Sequence, residues 1–88
     1  MHKSQEELKK ALGNAEEQVK TGSVYSHYKR PEETYIVLHL AITEADDTLC
    51  VIYQAQYGEK LIFTRPLTSW LGRVSWKGLT VQRFALIA

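Results

Sequence analysis

The sequence predicts a mainly β domain: a small barrel or rolled sheet of five to six strands with one N-terminal α-helix. Three observations predict it. Apolar residues recur at helical spacing only as far as Val19, and beyond Gly22 the period drops to two. Turn formers then punctuate the chain at short intervals, at Pro31, Ala45-Asp46-Asp47, Gly58 and Gly78. The chain has 88 residues, one domain's worth, so a single thin core is expected over residues 1–88.

The helix is expected over residues 4–20. Ser4-Gln5-Glu6-Glu7 has the form of a capping box, with Ser4 as N-cap and Glu7 three residues on. Leu8, Ala11, Leu12, Ala15 and Val19 form one narrow apolar stripe. Lys20 suits a last turn, and Gly22 is placed to end the helix. An isolated helix of this length is marginal, so it needs a sheet to lean on.

The roll is expected over residues 22–86. Ser23 to Lys29 reads as the first strand and Arg30 to Thr34 as a loop. Thr34 to Thr43 is the second strand, with Ile36, Leu38, Leu40 and Ile42 expected on one face. Aliphatic residues on both its faces call for two covers: the barrel interior, and the helix or a second copy. Thr48 to Tyr57 is the third strand. Its Leu49, Val51 and Tyr53 point one way, Cys50, Ile52 and Gln54 the other. Lys60 to Arg65 is the fourth, ended by Pro66. Leu67 to Leu71 is a helical turn before Gly72. A last hairpin, Arg73 to Trp76 and Leu79 to Leu86, turns at Lys77-Gly78. Closure of the sheet would remove exposed edges.

With 44% hydrophobic and 24% charged residues, disorder over most of the length is excluded. A single cysteine, Cys50, excludes an intramolecular disulfide and a multi-cysteine zinc site. A small domain without staples fits a reducing compartment, and no apolar run is long enough to span a bilayer. A cytoplasmic protein away from membranes is therefore expected. The net charge of +1 hides a segregation: six acids and no Lys or Arg lie between Glu32 and Glu59, five cations and no acid from Lys60 onward. These blocks either pair with one another or leave a cationic face.

Four separated blocks carry a resemblance: Tyr-Ser-His-Tyr-Lys (25–29), Val-Ile-Tyr-Gln-Ala-Gln-Tyr-Gly (51–58), Arg-Pro-Leu (65–67) and Arg-Phe (83–84). In order and spacing they are similar to the bacterial family called domain of unknown function 1653. The resemblance spans Gly22 to Leu86 and implies an SH3-like β-roll. It implies no chemistry, since the family's activity is unknown. Phe63 stands where the family tends to have tryptophan, and Trp70 where it tends to have phenylalanine.

The candidate ligand-binding residues are His27, Tyr28, Lys29, Gln54, Arg65, Trp70 and Arg83. Strand alternation lets only one of Tyr25 and Tyr28 face inward, and Tyr28 is the surface candidate. Arg65 and Arg83 sit among apolar residues, and guanidinium forks suit carboxylate or phosphate. Their bland alternative is an ion pair to the acidic block, for example with Glu44 or Asp46. No catalytic set, glycine-rich phosphate loop or metal-ligand spacing is present; His2, His27 and His39 are dispersed, and no cofactor is implied. The expected function is a non-catalytic binding module with a polar, aromatic groove for an anionic partner: RNA, a nucleotide or an acidic peptide. The alternatives are a small enzyme using His27 as acid or base, and a homodimer built on the Ile36/Leu38/Leu40/Ile42 face or the helix.

Overall fold

A computed structural model describes residues 3–88; Met1 and His2 lie outside the described residues. Helix α1 spans Gln5–Gln18. Its capping box forms: Ser4 Oγ accepts from the Glu7 amide at 3.1 Å, and the Glu7 carboxylate accepts from the Ser4 amide at 3.4 Å. The helix stops two residues sooner than expected. Val19 is already extended, at φ −126° and ψ 121°. A β-branched residue takes that conformation readily, and doing so sinks Val19 into the core at 1% exposure. Gly22, at φ 80°, then makes the left-handed turn into the sheet.

Strands β1 (Val24–His27), β2 (Thr34–Thr43), β3 (Thr48–Ala55), β4 (Ile62–Pro66) and β7 (Phe84–Leu86) form one antiparallel sheet in the order β4-β3-β2-β1-β7. Between β4 and β7 lie the short helix α2 (Leu67–Trp70) and the hairpin β5 (Arg73–Trp76) and β6 (Leu79–Gln82). The fold is mainly β, as expected, but among the described residues hydrogen bonds do not close the sheet. β4 and β7 remain edges, and Pro66 is tolerated on one of them. The strand expected over 79–86 is broken at Arg83. Its amide donates to the Gly72 carbonyl and its carbonyl accepts from the Tyr28 amide, both at 3.0 Å. Arg83 thereby hands the chain from the hairpin back to the sheet.

The second strand departs from simple alternation. Val37 pairs with Tyr53, yet His39 pairs with Ile52, so Leu38 is a bulge. The bulge flips the parity. Tyr35 and Val37 before it, and Leu40 and Ile42 after it, all share the face of Val51 and Tyr53. The expected Ile36/Leu38/Leu40/Ile42 face therefore does not exist as one surface, which removes the motive for a dimer built on it. Val19, at the end of α1, joins Val37 in the core. The helix thus covers the same face as the core and not the opposite one.

That core is Val19, Tyr25, Val37, Val51, Tyr53, Trp70 and Phe84. Full burial of a Val- or Phe-sized side chain is worth about 1.5–3 kcal/mol. Trp70 stacks on Phe84 at 3.8 Å and 5° between planes, and meets Tyr53 edge-on at 4.9 Å. The Tyr25 hydroxyl is satisfied by the Lys20 amide at 2.9 Å, which ties the helix exit to the sheet. At the far end of β2, Asp47 accepts from the Lys3 amide at 2.7 Å, and Asp46 accepts from the Thr48 hydroxyl at 2.7 Å.

Candidate functional site

A groove of about 210 Å³ opens on the core face where β1, β4 and β7 approach one another. His27 and Lys29 line one wall, Arg65 the other, and Tyr35, Tyr53 and Phe84 the floor; Arg30 and Glu33 stand at the rim. Register explains the gathering. His27 lies opposite Phe84 across β1 and β7, and Arg65 lies opposite Val51 across β4 and β3, with all four side chains on the core face. Three larger recesses, about 560, 550 and 420 Å³, lie beside α1, and no guanidinium lines them.

Arg65 is half-buried. Its Nη1 donates to Ser69 Oγ at 3.0 Å and its Nε to the Tyr53 hydroxyl at 3.4 Å. Its guanidinium carbon lies 5.3 Å from the centre of the Phe84 ring. Arg83 Nε donates to the Ser69 carbonyl at 3.0 Å. The two arginines thus converge on one residue of α2, one through its hydroxyl and one through its carbonyl. Gly72 keeps this corner compact, since a Cβ there would stand 3.2 Å from the same carbonyl oxygen. Among the described residues neither guanidinium meets a carboxylate, so the expected bland partner in the acidic block is not found. Arg30 does have one, Glu33 at 3.5 Å, in an exposed pair worth little.

His27 Nδ1 accepts from the Lys29 amide at 3.1 Å. In the neutral ring the proton therefore sits on Nε2, an assignment that follows from this hydrogen bond. Partial burial holds the imidazole pKa below its ordinary value, and the positive charges of Arg65, Arg83 and Lys29 push it further down. Glu33 opposes this weakly. At neutral pH the ring is a hydrogen-bond donor. Its remaining lone pair, on Nδ1, is engaged by the Lys29 amide.

Tyr28 lies tilted against His27 at 4.6 Å and meets Trp76 edge-on at 5.3 Å. The Tyr35 and Tyr57 hydroxyls share a 2.6 Å hydrogen bond, and burial with that bond drives the Tyr35 pKa well above the usual phenol range.

Of the seven candidates, His27, Lys29 and Arg65 meet in the groove, with Tyr28 and Arg83 adjoining it. Two do not belong. Trp70 is 2% exposed and supports Phe84 from behind. Gln54 is on the opposite face, paired with Ile36 and donating to the Lys60 carbonyl at 3.0 Å. Tyr35, Tyr53, Ser69 and Phe84 were not among the candidates. Strand alternation, which sets Tyr53 beside Val51, would have found Tyr53; Tyr35 follows only once the bulge is known. Ser69 leaves no signal, because its role exists only once α2 is placed.

The fold and groove define a small antiparallel β domain with a cationic, aromatic site. The chain belongs to a family of proteins of unknown function, DUF1653, whose pattern matches residues 23–86. A crystal structure of a DUF1653 protein from Bordetella bronchiseptica is similar to it, with 30% identity and a TM-score of 0.68, covering 80% of this chain and 90% of that one. No curated protein matches the chain. Helix α1 lies outside the family's span.

Proposed function

We propose that this chain is a non-catalytic binding module, an SH3-like roll of the bacterial cytoplasm, whose groove takes an anionic group of its partner: RNA, a nucleotide or an acidic peptide. One observation carries the reading. Arg65 is half-buried and held by neutral oxygens alone, so its charge is not neutralised from within. The remaining guanidinium N–H groups, the Lys29 ammonium and His27 Nε2–H are donors of one sign around one space. Holding His27 through a backbone amide and not a carboxylate supports binding over acid–base chemistry. Cys50 is a free thiol, which suits a reducing compartment. Neither described helix is long and apolar enough to cross a membrane.

The test is an amide-resolved NMR titration with a short RNA, a mononucleotide and an acidic peptide. Amides of His27, Lys29, Arg65 and Ser69 are expected to move with at least one ligand. Arg65→Gln is expected to weaken that ligand roughly tenfold or more, the worth of a hydrogen bond to a charged group. Unmoved resonances with all three ligands overturn the reading.

A further inference from the structure

We propose that the groove continues outward as a track for single-stranded nucleic acid, running from Arg65 and His27 over Tyr28 to Trp76 and Lys77; this rests on the anion-binding reading above. Trp76 and Lys77 are not among the seven candidate residues, and the hairpin brings them to the site. Trp76 is the last residue of β5, and the turn at Lys77 (φ 52°) and Gly78 (φ 81°) presents Lys77 beside it. Lys77 Nζ stands 5.5 Å from the centre of the indole. From there ring follows ring at 5.3 Å and 4.6 Å, Trp76 to Tyr28 to His27, and ends at Arg65. Tyr28 and Trp76 are half-buried, not sealed into the core as Trp70 is.

Three rings lie in a row between Lys77 at one end and Arg65 at the other, and that combination favours nucleic acid over an acidic peptide. A carboxylate-rich peptide uses the cations and leaves the rings idle. A single strand uses both, with phosphates on Lys and Arg and base faces on the aromatic rings. A duplex keeps its base faces stacked away from such rings. The electrostatics agree. From Lys60 to Ala88 the chain has no acid, so none of the hairpin or α2 opposes a polyanion. Glu44, Asp46 and Asp47 cluster at the far end of β2, about 30 Å along a strand from Thr34.

The experiment measures binding of the full chain to a labelled eight-nucleotide oligouridine and oligothymidine, to uridine monophosphate and to an octaglutamate, at several salt concentrations. Wild type is compared with Trp76→Ala and Lys77→Asn. Asparagine tolerates the left-handed backbone of that turn. Both oligonucleotides are expected to bind more tightly than the mononucleotide and the octaglutamate. Trp76→Ala should weaken oligonucleotide binding on the order of tenfold, the loss of one base–aromatic stack, and leave the mononucleotide unchanged. Lys77→Asn should reduce the salt slope by about 0.7, the loss of one phosphate contact on a single strand.

A purely structural Trp76 would lower the melting temperature without changing the ratio of the two affinities. If Trp76→Ala does not fold, Lys77→Asn decides alone. Oligonucleotides no tighter than mononucleotide or octaglutamate, or unaffected by these variants, overturn the track and leave the groove standing. Failure of every anion to bind wild type overturns both.

Discussion

His27 shows how one side chain reports its surroundings. Burial comes first, then Arg65, Arg83 and Lys29, and all hold the imidazole pKa below its ordinary value. The sign of the consequence follows from linkage. As pH falls through the ordinary histidine range, the unfolded chain takes up a proton that the folded ring still refuses. Stability contributed by this group is therefore complete above that range and lost as pH falls toward the folded pKa. A proton NMR titration should show His27 with a midpoint lower than that of an unstructured histidine peptide. Arg65→Gln should raise it, and so should a bound phosphate. An unshifted midpoint in all three states would mean the cations are too far away to matter. At this scale the sequence was partly legible. Arg65 and Arg83 stood out because apolar neighbours promised burial of a charge. Trp70 misled because bulk and position beside a strand end do not say whether a ring faces solvent or core. Gln54 misled because a polar residue on a strand marks the wet face and not a groove.

At the scale of elements, most turns were legible in the sequence, because glycine, proline and aspartate mark where the backbone reverses. The bulge at Leu38 was not. Nothing in Ile36-Val37-Leu38 distinguishes a regular strand from one with an extra residue, since all three are β-formers. Only the register against β3 reveals it. The bulge is what lets Tyr35 floor the groove while Leu40 and Ile42 serve the core beneath α1. Because Leu38 is the extra residue, its deletion should keep every remaining pair with β3 and leave Tyr35, Val37, Leu40 and Ile42 on one face. The expected result in urea is a cooperative transition for the deletion and for Leu38→Ala alike. A deletion variant without a cooperative transition would show that the bend at the bulge, and not the register alone, is needed by the fold. Helix α1 ended early for a similar reason: burial of Val19 outweighed the propensity that would have carried the helix to Lys20.

For the whole molecule, composition and period gave the architecture, and four scattered blocks placed it in its family. Closure was not legible, because whether the edge strands β4 and β7 pair leaves no mark on either one. The charge blocks resolved only in three dimensions. Glu44, Asp46 and Asp47 collect at one end of β2, and Arg65 and Arg83 meet at Ser69 in place of crossing to them. The arrangement of the β5–β6 hairpin has a further result. Its two strands bond to each other, and neither packs extensively on another element. Arg83 and Gly72 hold its root, and the Tyr28–Trp76 contact holds its side. Such a lobe can open while the five-stranded sheet stays intact. Amide hydrogen exchange should separate them, with Val74 and Val81 exchanging well before Val37 and Val51, and more slowly once an oligonucleotide bridges the two parts.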